Sequence, residues 1–265
     1  MRQWTIEKPE QLTFESVKKL NVRIVAGRLA VLAGDGPATL EVTEVDTTPL
    51  LVTHDDDGTL TVTYKDLTWD GLLGWLRPGR RRATLTLTAP KDCPINVGVV
   101  SASAVVSGFE DRTSVRGVSG DIVLDGVSGE INADTVSGDV ESRDLVGDLS
   151  FKSVSGELTV AQGTPRRLSV TTVSGRITAD LELPPTGHVT LNSVTGDIVL
   201  RLPHAVDADV KIRSTSGRLD TAFSELHHSA QTGTRSLTGR IGGGMASLTA
   251  HTVSADVTLL KGAQA

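Results

Sequence analysis

Aromatic rings are scarce in this chain: 265 residues contain four Phe, three Trp and one Tyr. A core built on large rings is excluded, so Val, Leu, Ile and Ala must fill the interior. Cysteine is nearly absent as well. The single Cys93 rules out an internal disulfide and a zinc site made of several thiolates, and it fits a reducing compartment. Long hydrophobic runs are missing: the longest uncharged stretch, Cys93 to Phe109, is interrupted by Asn96 and three serines and reads as strand, not as a membrane helix. Met1 to Lys8 carries Arg2, Glu7 and Lys8 and lacks the apolar stretch of a secretory signal, so a cytoplasmic location is expected. Excess positive charge is missing too. With 26 Lys and Arg against 32 Asp and Glu, the net charge of −6 provides no general attraction to nucleic acid.

What is present is a repeat. From Val118 the chain reads VSGDIVLDG (118–126), VSGEINADT (127–135), VSGDVESRD (136–144), LVGDLSFKS (145–153) and VSGELTVAQ (154–162), a period of nine residues. The motif returns as VSGRI at Val173, VTGDI at Val194, TSGRL at Thr215, LTGRI at Leu237 and VSADV at Val253. Its glycines are 120, 129, 138, 147, 156, 175, 196, 217 and 239, so the gaps are 9, 9, 9, 9, 19, 21, 21 and 22. The longer gaps are two half-repeats plus a loop, supplied by LPPTG (183–187) and LPHAVD (202–207).

At strand spacing, positions one, three, five and seven form one face: Val118, Gly120, Ile122 and Leu124, then Val127, Gly129, Ile131 and Ala133. That face is expected to point inward. Ser119 and Asp121, Ser128 and Glu130, and Ser137 and Asp139 form the solvated face. Each motif recurs in the same phase, and the spacing is too short for helical crossovers. The expected fold is therefore all-β: a parallel β-solenoid, right-handed β-helix-like, with ~9-residue half-coils and ~20-residue coils. Residues 91–262 are read as the solenoid repeat region. Residues 1–90 are read as an N-terminal β-rich portion, either a cap or the first coils, with strands at Lys19 to Val25, Arg28 to Ala33, Thr39 to Val45, Leu50 to Thr53, Thr59 to Tyr64 and Thr84 to Pro90. No amphipathic helix is evident.

The repeated VSG-acid-aliphatic unit, with RIVAGRLAVLAGDGPATLEVTEV (23–45) before it and HTVSADVTLL (251–260) at its end, resembles the bacterial "putative adhesin" or toastrack-type family of β-strand-repeat proteins. The resemblance spans nearly the whole chain. It implies a β-solenoid, no known catalytic residues, no cofactor, and an association with bacterial envelope and stress-response systems. No functional residue is carried over, because the shared motif is structural.

A Gly followed by an acid every nine residues also invites comparison with the calcium-binding β-roll. That unit carries several glycines and places its Asp in a turn, whereas here one Gly precedes an acid on a strand, and Arg176, Arg218 and Arg240 replace the acid in later repeats. A carbohydrate-active or carbohydrate-binding β-helix is the other alternative. Catalysis there needs a local, non-repeating cluster of carboxylates, but Asp121, Glu130, Asp139, Asp148 and Glu157 recur at fixed spacing. No G-x-S-x-G elbow exists, the adjacent His227 and His228 lack metal-ligand partners, and Gly34-Asp35-Gly36 is a turn, not a dinucleotide fingerprint. No catalytic residue, metal site or cofactor is expected.

One segment stands apart. Residues 69–82 hold Trp69, Leu72, Leu73, Trp75 and Leu76, followed by Arg77, Arg80, Arg81 and Arg82. With Asp70 the segment carries +4 − 1 = +3, which leaves −9 on the rest of the chain. Apolar anchors beside a basic cluster suit an anionic membrane surface or a partner's acidic groove; the alternative is that the rings fold back onto the solenoid as a cap. The expected role is a non-enzymatic scaffold or interaction protein, cytoplasmic or peripheral to the membrane, with an unknown protein partner. Homo-oligomers through solenoid edges are a further expectation.

Overall fold

The computed structural model describes residues 1–64, 81–231 and 233–262, and every regular element among them is a strand. The chain forms two compact units, Met1–Val123 and Leu124–Ala265. The first holds β1 (Arg2–Ile6), β2 (Glu10–Phe14), β3 (Lys19–Ile24), β4 (Ala26–Ala33), β5 (Ala38–Val45) and β6 (Leu50–His54). It continues with β7 (Thr59–Tyr64), β8 (Arg82–Ala89), β9 (Ile95–Val99), β10 (Ser103–Ser107) and β11 (Thr113–Gly117), and β12 (Ile122–Asp125) falls across the division.

Within this unit the strands alternate between two sheets, because each coil contributes one strand to each. One sheet runs β1, β6, β7, β3, β9, β11, with β7, β3, β9 and β11 parallel. The other runs β2, β5, β8, β4, β10, with β8, β4 and β10 parallel. Strict alternation decides which side chains enter the core. In β3, Leu20, Val22 and Ile24 are at most 1 % exposed, while Asn21 and Arg23 on the opposite face reach solvent. Residues 1–90 thus contain two coils, β3/β4 and β7/β8, and four antiparallel strands, β1, β2, β5 and β6, that line the outer one. These antiparallel strands cover edges that would otherwise be open to pairing. Stacking order differs from chain order: β7/β8 packs on one side of β3/β4 and β9/β10 on the other.

The second unit holds β13 (Ser128–Asp134), β14 (Val140–Arg143), β15 (Val146–Ser153), β16 (Leu158–Thr172), β17 (Ile177–Leu181), β18 (His188–Ser193) and β19 (Ile198–Leu202). After them come β20 (Ala208–Ser214), β21 (Leu219–Thr221), β22 (His227–Gln231), β23 (Thr234–Ile241), β24 (Ala246–Thr252) and β25 (Val257–Lys261). β16 turns the corner between the sheets without breaking: Leu158 to Val160 pair with β14 and β17, and Leu168 to Thr172 pair with β15 and β18. Here too the last coil is out of order. β24/β25 inserts between β18/β19 and β20/β21, parallel to both. LTGRI (237–241), which reads as one more coil, instead lies in β23, antiparallel to β20, and β22 pairs along its other edge.

Strand residues of the repeat point inward as the period requires, but the corners do not. Val136, Val154, Val173, Val194 and Val253 are between 41 % and 51 % exposed, whereas Val127 is 1 % exposed. Identical V-S-G triplets therefore serve two different corners. At the corner after β13, β15, β16, β18, β24 and β20, the residue before the motif turns inward: Thr135, Ser153, Thr172, Ser193, Thr252 and Ser214 are buried. Thr135, Ser153, Thr172 and Ser214 accept a hydrogen bond from the N–H of the motif Gly at 2.7–3.0 Å, which settles a buried donor. The following Ser or Thr, although exposed, donates to the Val carbonyl of the adjacent coil at 3.2–3.4 Å in Ser155, Ser174, Thr195, Ser254 and Ser216. The Gly admits this closeness: a Cβ at Gly156, Gly175 or Gly196 would lie 2.0–2.1 Å from the carbonyl oxygen of Gly138, Gly156 or Gly175, one coil earlier. At the other corner Gly129 and Gly147 have φ of 89° and 111°, a backbone that only glycine adopts without strain.

Candidate functional site

The acidic column on the solenoid surface is committed to its own neighbours. The Asp139 carboxylate accepts the Glu157 N–H at 2.8 Å, Asp197 accepts the Asp256 N–H at 3.0 Å, and Asp256 accepts the Arg218 N–H at 2.8 Å. Arg218 also reaches the Asp256 carboxylate with its guanidinium at 2.8 Å and 3.0 Å. The Arg218 N–H and then its guanidinium hold the Asp256 carboxyl below the usual range. Asp139, Asp197 and Asp256 therefore each tether one coil to the next through a peptide N–H. Among the described residues, no group of three or more His, Cys, Asp and Glu could hold a metal ion.

On the sheet formed by β13, β15 and β16, an open groove of about 710 Å³ is lined by Glu130, Asp148, Arg166 and Arg167. It brings two carboxylates together, the number a glycosidase pair uses, but one of them is held by an arginine. Arg166 binds Asp148 bidentately at 3.0 Å and 2.8 Å, and this contact holds the Asp148 carboxyl below its ordinary value. An aspartate pinned in the ionised form is a poor general acid. Because its folded pKa lies below the unfolded one, Asp148 contributes stability above about pH 4 that is lost as the pH falls through the folded pKa. The melting-temperature difference between wild type and Asp148→Asn is therefore expected to be constant from neutrality to about pH 4 and to shrink below it. A difference that grows on acidification would contradict the pairing.

Of the basic-aromatic segment, Trp69, Leu72, Leu73, Trp75, Leu76, Arg77 and Arg80 lie outside the described residues. Arg81 and Arg82 are placed at the entry to β8 and have opposite surroundings. Arg81 is 6 % exposed, and its carbonyl accepts the Ala26 N–H at 3.1 Å. Arg82 is exposed, with its carbonyl tied to the Asp46 N–H at 2.9 Å. Tyr64, the last residue of β7, is buried, and desolvation pushes its phenol up to about 12. The described residues on either side of 65–80, Tyr64 and Arg81, are both buried and form a stem. Cys93 is buried, and desolvation raises its thiol to about 11, so it is not a reactive thiolate.

A second feature is legible in sequence only with the pairing known. Trp4 on β1, Phe14 on β2 and His54 on β6 meet at the outer strands of the first unit, with Trp4 and Phe14 edge to face at 5.3 Å and Phe14 and His54 at 5.9 Å. They line a cavity of about 510 Å³ with Arg2, Glu15, Lys18 and Asp55. The three rings are scattered over 50 residues, and the alternation of RQWTI and EQLTF is too polar to stand out. His227 and His228 are exposed on β22, with no ligand partners among the described residues. No helix among the described residues is long and apolar enough to cross a membrane.

No curated protein matches the sequence. Several solved structures match along nearly the whole chain at low identity. One, described as a "putative lipid binding protein" from Parabacteroides distasonis, is 14 % identical, covers 96 % of this chain and 97 % of its own, and has a TM-score of 0.49. A "putative adhesin" from the same organism is 11 % identical over 98 % and 97 %, at a TM-score of 0.39. A "putative adhesin" from Bacteroides fragilis is likewise 11 % identical over 98 % and 97 %, at 0.28. The Toastrack DUF4097 family model matches residues 16–260, from the turn before β3 into β25. The stacked coils, the hydroxyl-bearing corners and the glycine column all fall inside that match, and the chain belongs to the Toastrack DUF4097 family.

Proposed function

We propose that this protein is a non-catalytic, adhesin-like recognition scaffold, cytoplasmic and peripheral to the membrane, which docks through residues 69–82 onto an anionic lipid surface. The observation that carries the non-catalytic reading is the commitment of the repeating carboxylates. Asp139, Asp197 and Asp256 are spent on peptide N–H groups of the adjacent coil, and Asp148 is spent on Arg166. Groups so used hold the solenoid together and are unavailable for proton transfer or for a cation.

Support for the docking reading comes from composition: a +3 segment with two Trp and three Leu in a chain that is otherwise −9. Each Arg near anionic headgroups contributes about 1 kcal/mol, and Trp favours the interface. Arg81 is buried in the stem, so the docking charges are Arg77, Arg80 and Arg82. The triple variant Arg77→Ser, Arg80→Ser, Arg82→Ser is expected to lose about 100-fold in affinity for vesicles rich in phosphatidylglycerol, measured by co-sedimentation at low salt. Equal sedimentation of variant and wild type would end the membrane reading and leave the scaffold reading standing.

A further inference from the structure

We propose that the cavity between β1, β2 and the turn from β6 to β7 is a binding site for a neutral sugar. The inference goes beyond the membrane-docking reading and does not depend on it. Ring exposure comes first. Among the described residues Phe14, Tyr64, Phe109, Phe151 and Phe223 are at most 2 % exposed. Trp4 is the exception, half-buried on the wall of a cavity of about 510 Å³. A cavity of that size lies in the range of small-molecule sites. Phe14 meets the Trp4 ring at an interplanar angle of 83°, an edge-to-face contact that fixes the indole in place.

The second observation is an unanswered polar atom. His54 Nε2 is buried and has no hydrogen-bond partner among the described residues, although leaving such a group unsatisfied costs roughly 1–3 kcal/mol. In neutral imidazole Nε2 either donates or accepts, according to tautomer. A hydroxyl can answer both forms, because it donates and accepts.

The third observation is the charge at the rim. Arg2 and Lys18 stand with Glu15 and Asp55 around the opening, and none of these four side chains makes a hydrogen bond or ion pair among the described residues. A strongly anionic ligand would meet Glu15 and Asp55, and a cationic one would meet Arg2 and Lys18. A ring of hydroxyls meets no such penalty, since it donates to the carboxylates and accepts from the cations. A pyranose combines the two required properties: an apolar face of C–H groups for the Trp4 ring and a rim of hydroxyls for the charged side chains and His54.

The test uses the full chain with glucose, galactose and N-acetylglucosamine as probes, following the Trp4 indole N–H by NMR and the sugar protons by saturation transfer. At least one probe is expected to shift the Trp4 signal saturably. Trp4→Leu and His54→Phe, both of which keep an apolar contact on Phe14, are each expected to weaken that binding about tenfold or more without lowering the melting temperature. No saturable shift with any of the three sugars overturns the proposal. Unchanged affinity in both variants overturns it too, because the sugar would then sit elsewhere. Glucuronate and glucosamine are the charged arms, and a preference for either would show that the site selects charge instead of a neutral ring. Vesicle sedimentation of the two variants should match wild type, so failure here is separable from failure of the membrane reading.

Discussion

Gly175→Ala is expected to destabilise the protein by about 3 to 5 kcal/mol, an effect out of proportion to one methyl group. A Cβ built on Gly175 lies 2.0 Å from the Gly156 carbonyl oxygen and 3.0 Å from the Thr172 hydroxyl that receives the Gly175 N–H. Neither neighbour can give way. The Gly156 oxygen is backbone, held in a stack in which a Cβ on Gly196 would in turn approach the Gly175 oxygen to 2.0 Å. Overpacking in an ordinary core costs about 1–3 kcal/mol, because side chains change rotamer to make room. Here the coil itself would have to lift, at the expense of the Ser174 bond to the Val154 carbonyl and the Thr195 bond to the Val173 carbonyl. Gly36 is the control: a Cβ there would meet nothing within 4 Å, and Gly36→Ala should stay within about 0.5 kcal/mol of wild type. Urea unfolding of the three proteins decides the matter; a Gly175→Ala loss below about 1 kcal/mol would mean that the coils do not stack this closely.

Phe151→Ala is expected to cost a similar amount, about 3–5 kcal/mol, for the opposite reason. Phe151 is 1 % exposed and stands in one inward column, with Ala133 of β13 on one side and Val170 of β16 on the other. In a chain so poor in rings it supplies volume that the small Ala133 leaves open, so its removal opens a cavity that neighbouring coils cannot close without breaking their ladders. The column offers a specific rescue. Ala133→Leu in the Phe151→Ala background should recover part of the loss, while Ala133→Leu alone should destabilise by about 1–3 kcal/mol through overpacking. Additive effects in this double-mutant cycle would show that the two positions do not share one space.

Much of the architecture was legible because the signal is periodic. Six strands read between residues 19 and 90 match β3 to β8 within two residues at either end, since alternation of apolar and polar side chains is enforced by a sheet with one buried face. β1 and β2 escape the same reading: each keeps only two inward apolar residues, because an outer strand faces core on less of its length. The corner was half legible. The motif is better written [Ser/Thr]-[Val/Thr]-[Ser/Thr]-Gly, and Thr135, Ser153, Thr172, Ser193 and Ser214 all open it in the sequence. What no period reveals is that the first hydroxyl is buried and the valine exposed.

The sequence by itself determined the fold class and the coil length, because burying one face of every strand demands a two-residue alternation and repeating the demand at fixed spacing demands parallel stacking. It also singled out residues 69–82 by composition alone. Only the tertiary structure decided the order of the coils, since β7/β8 and β24/β25 stack out of turn and any coil of the same period presents the same edge to a neighbour. Only the tertiary structure separated Arg81, buried in the stem, from Arg82 beside it. And only pairing of distant strands could bring Trp4, Phe14 and His54 to one cavity, because each lies on a strand whose local pattern carries no trace of the other two.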